Sequence, residues 1–343
     1  MTKATMAAPL STARRHSGSR ADDVAYDAPF ILELYRKLYT IRTFENRCIK
    51  LYREGLIRGY FHPYLGEEAI AVGVCAALQD RDYIVSTHRG HGHCIARGAE
   101  VKRMVAEVLG RRDGYCKGLG GSMHIADVSK GNLGANGIVG GGIAMGVGAA
   151  LGASIRGEDR VSAIFFSDGA SNNGIFAESL NLAGALSAPA LFVLENNQYA
   201  VCTPVDKSCR AENLYTIAEG YGIESSLVDG NDVVAVYECA RGAVQACRTD
   251  AGPVLIECKT YRHGGHHVND PGAYMPADRL EHYKSRDPLT LCKRRALELD
   301  GVDEAELQQV EQRVEREMEE AVAFARQSPE MSVEEFRRLV EDY

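Results

Sequence analysis

The chain has 343 residues, 45% of them hydrophobic, with a formal net charge of −8. This is enough apolar material for a sizeable core and excludes a disordered chain, while the acidic balance argues against nucleic acid as a partner. No apolar stretch reaches the roughly 18 residues of a spanning helix, and ten scattered cysteines without a CxxC pair point to reduced thiols in a cytoplasm-like compartment.

The first 20 residues, "MTKATMAAPLSTARRHSGSR", are basic and free of acids. They read as a disordered tail, set at residues 1–25, on a bacterial cytoplasmic protein. An organellar transit peptide, and with it the mitochondrial matrix, is the alternative. Order is expected from Asp27, where a capping acid and an early Pro29 precede apolar residues at helical spacing from Phe30 to Ile49, with a stop at Gly55. Residues 66–78 read as a second helix, 82–87 as a strand, "HRGHGHCIARG" as a polar loop, and 100–111 as a helix. A glycine-dominated stretch covers 114–148 and resumes as a helix with a small-residue face, which suits close helix packing better than a phosphate loop. Then follow strand 161–166, helix 174–187, strand 190–195, helix 211–221, a short strand near Leu227, helix 232–249 and strand 253–261. The alternation and the nearly continuous apolar strands imply an α/β fold, a parallel sheet with helices on both faces. Helices follow Pro288, with Leu307, Val310, Val314, Met318 and Val322 on one stripe and a capping box from Ser332 to Glu335. The expected division is an α/β domain over 26–300 and a C-terminal helical extension over 301–343.

Two strand ends carry the chemistry. The run ending in "FFSDGA" breaks at Asp168, and the next, after one helical crossover, breaks at Asn196 and Asn197. Neighbouring strands of a parallel sheet bring such ends together at the carboxyl edge, where ligands bind. A carboxylate, an amide oxygen and a backbone carbonyl, suggested at Tyr199, suit Mg²⁺ with phosphate oxygens. Gly169 allows a sharp turn, and the helix start beyond it offers N–H groups to an anion. The bland reading is a capping acid and an asparagine-rich turn.

Asp168-Gly169 followed by Asn196-Asn197 resembles the thiamine diphosphate motif. "STHRGHGHCIARG", "GGSMHIAD", "GANGIVGGG" and "VNDPGAY" extend the resemblance over roughly residues 30 to 300. They are similar to the alpha subunit of the decarboxylating first component of 2-oxo-acid dehydrogenase complexes, of the pyruvate and acetoin dehydrogenase types. The resemblance implies a thiamine diphosphate-binding fold with Asp168, Asn197 and the Tyr199 carbonyl on Mg²⁺. It places Gly169 and Ala170 at the diphosphate with His88 and Arg89, Gly137 and Val139 at the aminopyrimidine, and His62 and His266 as active-site histidines. It also implies a beta subunit that completes an α2β2 tetramer and supplies an activating glutamate, and a lipoyl acyltransferase that receives the acyl group. Two positions depart from the pattern. Ser167 replaces the first glycine of the motif, which puts cofactor affinity in question. His267 stands where animal mitochondrial members carry a regulatory serine, so that switch is expected to be absent.

Alternatives stay open at several points. His91 and His93 could simply line a polar loop, and "HGGHH" at 263–267 could be a metal cluster, although its spacing does not fit HExxH. The loop "HGGHHVNDPGAY" is expected to be mobile without cofactor and ordered with it. A non-catalytic paralogue acting as a binding or regulatory subunit is the rival function. A Mg²⁺-dependent phosphohydrolase is disfavoured, because Gly169 and Ala170 follow Asp168 where a second acid would be needed.

Overall fold

The structure, a computed structural model, describes residues 26–249 and 252–341; the expected tail over 1–25 lies outside the described residues. The first helix, α1 (Ala28–Arg53), is capped by Asp27, whose carboxylate accepts from the Phe30 N–H at 3.1 Å, with Pro29 in the first turn where a missing N–H costs nothing. Next come α2 (Glu68–Ala77), β1 (Tyr83–Val85), α3 (His91–Ala96) and α4 (Val101–Val108). The glycine-rich stretch leads into α5 (Gly141–Ile155), β2 (Ser162–Ser167), a 3-10 turn at Asp168–Asn172, α6 (Gly174–Ala185) and β3 (Ala190–Asn196). A small hairpin, β4 (Tyr199–Ala200) and β5 (Thr203–Pro204), precedes α7 (Val205–Ser208), α8 (Thr216–Glu219), β6 (Glu224–Asp229), α9 (Val233–Arg248) and β7 (Val254–Lys259). Four helices follow: α10 (Ala277–Lys284), α11 (Pro288–Leu297), α12 (Glu304–Gln327) and α13 (Val333–Glu341).

The main sheet has the order β1-β2-β3-β7-β6, and every pairing in it is parallel. Successive side chains alternate between two apolar layers. Ile164, Phe166, Phe192 and Leu194 pack with α5 and α6, while Ala163, Phe165, Leu191 and Val193 pack with α1, α2, α4 and α9. Burial on both faces is why β2 and β3 read as unbroken apolar runs. The small-residue face of α5 lies against the sheet: a methyl group at Gly146 would sit 2.4 Å from Ile164 Cγ1, so nothing larger fits there. Leu307, Val310, Val314, Met318 and Val322 are all buried along α12. Ser332 Oγ accepts from the Glu335 N–H at 3.1 Å, as its capping role requires.

Several elements differ from the sequence reading, the β4–β5 hairpin and α7 among them. The polar loop "HRGHGHCIARG" contains a buried helix, α3. Helix 211–221 shrinks to the four residues of α8, because the Tyr215 N–H is drawn away to Glu257. Helix α10 was not anticipated; it buries none of its residues and so shows no apolar stripe.

Topology sets the site. The chain passes from β1 to β3 through α5 and α6 on one face, crosses to the far edge at β6, and returns through α9 on the other face to β7 beside β3. At the carboxyl edge the cleft opens beside the ends of β1 and β2, where Ser86, His88, Ser167 and Ala170 line it.

Candidate active site

Four strand ends supply the residues: His88 and Arg89 after β1, Asp168 after β2, Asn196 and Asn197 at β3, and Arg262 to His267 after β7. Asp168 is fully buried, and neither of its carboxylate oxygens has a hydrogen-bond partner among the described residues. Burial raises its pKa from 3.8 to about 7, an effect that nearby backbone N–H groups and the charges of Arg262 and Arg89 only partly offset. An orphaned buried carboxylate is costly unless something positive meets it, so the donor set fits a cation. The turn carrying Asp168 lies against β4, since a methyl group at Gly169 would stand 2.8 Å from Ala200 Cβ. Glycine there lets the turn pack against Ala200 of β4. Ser167 has φ −90° and ψ 166°, extended backbone open to any residue, and its hydroxyl accepts from the Ala170 N–H at 3.4 Å. The departure from glycine therefore carries no backbone strain.

The two asparagines at the end of β3 point to opposite faces, each toward a buried glutamate. Asn196 donates to Glu257 Oε1 at 2.6 Å, and its own oxygen accepts from the N–H and the side-chain amide of Gln198 at 3.2 and 3.0 Å. Asn197 donates to both oxygens of Glu67 at 3.1 Å, and its oxygen faces the Tyr199 N–H at 3.3 Å. Sequence reasoning missed Glu67 and Glu257. The available signal was "GEEAIAVGVCAA", two acids opening a helix otherwise so apolar that they must be buried with it. Burial raises the pKa of Glu67 to about 8 despite the neighbouring charge of Arg89.

His62, His88 and His266 form one cluster. The ring of His62 lies 4.9 Å from that of His88 and 4.8 Å from that of His266, centroid to centroid. Burial first, and the charge of Arg89 second, lower His62 to about 3 and His266 to about 4, and hold His88 well below its usual range. All three are neutral imidazoles at pH 7. His62 Nδ1 is buried with no hydrogen-bond partner among the described residues. Arg89 is buried, donates to the carbonyls of Pro63 at 2.7 Å and His266 at 2.8 Å, and lies 3.3 Å from His266 Nδ1. A guanidinium only donates, so His266 Nδ1 accepts and Nε2 carries the proton. Burial lowers Arg89 to about 10, which leaves it charged at neutral pH.

The loop from His263 to Tyr274 is held by polar contacts. Asp270 accepts from the His266 N–H at 2.6 Å, the Gly272 N–H at 2.9 Å and the Tyr274 hydroxyl at 2.7 Å. Burial pushes this carboxyl up, but those donors outweigh it and hold it at about 2. His263 faces Asp287 at 3.7 Å, whereas His266 and His267 face His62, so "HGGHH" is not gathered at one point.

A cleft joins His88, Val139, Ser167 and Ala170. Gly137 stands beyond this lining, near His124 and Met123. His91 and His93 turn inward from α3. His91 bridges Glu45 and Ser122, at 2.9 Å each, and His93 bridges Ser86 at 2.7 Å and Glu195 at 2.9 Å. The glycine-rich stretch closes around a side chain: buried Glu107 accepts from the N–H groups of Cys116, Gly118, Gly120 and Gly121 at 2.7 to 3.0 Å.

The sequence profile of the family described as "Dehydrogenase E1 component" matches residues 36–334. The alpha subunit of acetoin:2,6-dichlorophenolindophenol oxidoreductase from Bacillus subtilis is 46% identical over 299 residues, 87% of this chain and 89% of that one. Its namesake from Cupriavidus necator is 43% identical over 325 residues, 94% and 97% of the two chains. The alpha subunit of the pyruvate dehydrogenase E1 component from Rhizobium meliloti is 38% identical over 305 residues, 89% and 88% of the two. These relatives are alpha subunits of oxidoreductases, and the chain belongs to the dehydrogenase E1 component family.

Proposed function

We propose that the chain is the alpha subunit of a thiamine diphosphate- and Mg²⁺-dependent dehydrogenase component. It acts with a beta subunit in an α2β2 tetramer to decarboxylate a 2-oxo acid such as pyruvate, or to cleave acetoin, and the acyl group passes to a lipoyl acyltransferase. The observation that carries this reading is Asp168, a fully buried carboxylate without a partner at the carboxyl end of β2. When bound, thiamine diphosphate supplies a carbon nucleophile and an electron sink for C–C cleavage.

This chain's residues then have distinct tasks. Asp168, Asn197 and the Tyr199 carbonyl would hold Mg²⁺ by hard oxygens. The backbone at Gly169 and Ala170, with His88 and Arg89, would meet the diphosphate. The backbone at Gly137 and Val139 would position the aminopyrimidine. His62 and His266, kept neutral by burial, can each hold a proton on one ring nitrogen and accept one on the other. His266 would present its Nε2 proton to a developing negative charge, because Arg89 occupies Nδ1.

The test is reconstitution. The purified chain alone should show no turnover with pyruvate or acetoin using ferricyanide as acceptor, and should gain it on addition of the beta subunit, thiamine diphosphate and Mg²⁺. Turnover by the single chain overturns the two-subunit reading. Failure of the assembled protein to bind thiamine diphosphate in calorimetry overturns the cofactor reading.

A further inference from the structure

We infer that Glu67 is a positioning residue that fixes the side-chain amide of Asn197, so that a divalent cation meets its oxygen and not its N–H₂. The inference rests on the Mg²⁺ reading of Asp168 and Asn197 given above. An asparagine amide has nearly the same shape in its two flipped states, and only its neighbours decide between them. The Asn197 nitrogen lies 3.1 Å from both oxygens of Glu67, so the amide turns its N–H₂ side toward the carboxyl group. Its oxygen is thereby left on the side of the Tyr199 N–H, at 3.3 Å. Flipping the amide would give up both donations to Glu67 and set N–H₂ against the Tyr199 N–H. Without Glu67, only the longer contact to Tyr199 opposes the flip.

The neighbouring asparagine shows the contrast. Asn196 is anchored by Glu257 in the same way, but its oxygen already accepts twice from Gln198. Of the two amides, Asn197 alone keeps oxygen capacity for a ligand. Glu67 is itself 1% exposed and lies 3.9 Å from Arg89 Nε, so it also faces the guanidinium. A test must separate the two roles.

The full-length chain, assembled with its beta subunit, is titrated with Mn²⁺ in the presence of thiamine diphosphate and followed by electron paramagnetic resonance. Calorimetry with thiamine diphosphate in EDTA gives the metal-free affinity. Glu67→Ala should weaken Mn²⁺ by about 10- to 100-fold, the usual effect of losing a residue that orients a metal ligand. Glu67→Gln, whose carbonyl still accepts from Asn197, should stay close to wild type for Mn²⁺. Both remove the carboxyl group beside Arg89, so both should shift the metal-free affinity alike. Glu67→Ala combined with Asn197→Ala should bind Mn²⁺ no more weakly than Asn197→Ala alone. Wild-type Mn²⁺ affinity in Glu67→Ala, equal losses in the Ala and Gln variants, or additive losses in the double variant would each overturn the inference. If Glu67→Ala fails to fold, Glu67→Met, of similar length and unable to accept, takes its place. If Asp168→Ala and Asn197→Ala both keep wild-type Mn²⁺ affinity, the metal reading fails; if they lose it and Glu67→Ala does not, only the inference fails.

Discussion

Asp168→Asn should stabilise the ligand-free chain at alkaline pH while abolishing its response to cofactor. The wild-type carboxylate is buried without a partner, and its pKa rises from 3.8 to about 7, chiefly through burial. The folded chain therefore holds a proton that the unfolded chain has released across that window. Relative to a neutral side chain, stability is intact below the lower value and falls as pH rises through about 7. At ~1.4 kcal/mol per pH unit the loss by pH 8 is about 4 kcal/mol, an upper figure, because local relaxation and water reduce the penalty of a buried charge. The asparagine amide has its own unmet polar groups, at about 1–3 kcal/mol, so a net gain of about 1–2 kcal/mol is expected at pH 8 and none at pH 4. Urea unfolding of both proteins at the two pH values, in EDTA, measures this; the buried histidines affect both alike and cancel. Adding Mg²⁺ and thiamine diphosphate at about 100 times the dissociation constant should stabilise the wild type by ~2.7 kcal/mol and leave the variant unchanged. A variant less stable than wild type at pH 8 without ligand, or a difference that does not change with pH, would refute the reasoning.

Arg89→Lys should weaken thiamine diphosphate binding in equilibrium dialysis despite the conserved charge, because a point charge cannot span Pro63 and His266 together. His62→Gln should flatten the acid side of the stability profile. With the folded His62 at about 3, wild-type stability is complete above pH 6.5 and falls as pH drops toward that value, by up to ~1.4 kcal/mol per pH unit; urea unfolding at pH 6.5 and 5 reads the slope. Asp270→Ala removes three hydrogen bonds and should make the loop from His263 to Tyr274 more sensitive to protease in the ligand-free protein, with far-UV circular dichroism unchanged. In the wild type, limited proteolysis should slow on adding thiamine diphosphate if the loop tightens further around the cofactor.

Much of the scaffold could be read from the sequence because the sheet is buried on both faces. An apolar run that stops at Asp168, and another that stops at Asn196, mark strand ends without ambiguity. Helix α3 escaped because its inward groups are His91 and His93, polar side chains that pass for a loop until Glu45 and Glu195, distant in sequence, are seen to satisfy them. Glu67 escaped for a related reason: nothing local distinguishes it from Glu68, which turns instead to Arg42 at 2.6 Å. What single-sequence reasoning recovered was the set of groups lying on strand ends. What it missed were the buried partners that orient them, since those pairings join residues 46 to 130 positions apart.

The carboxylate of Glu107 has a further consequence for the glycine-rich stretch. Four N–H groups converge on it, an arrangement that elsewhere captures an anion from solution. Here the anion is tethered to α4, so its local concentration never changes. The shape of residues 116–121 should accordingly be indifferent to sulfate, phosphate or added salt. A buffer anion that competes for the cofactor's place will leave this segment untouched. Glycine density in this part of the chain thus measures how closely the backbone winds about its own side chain, and not how many contacts it keeps in reserve for a ligand.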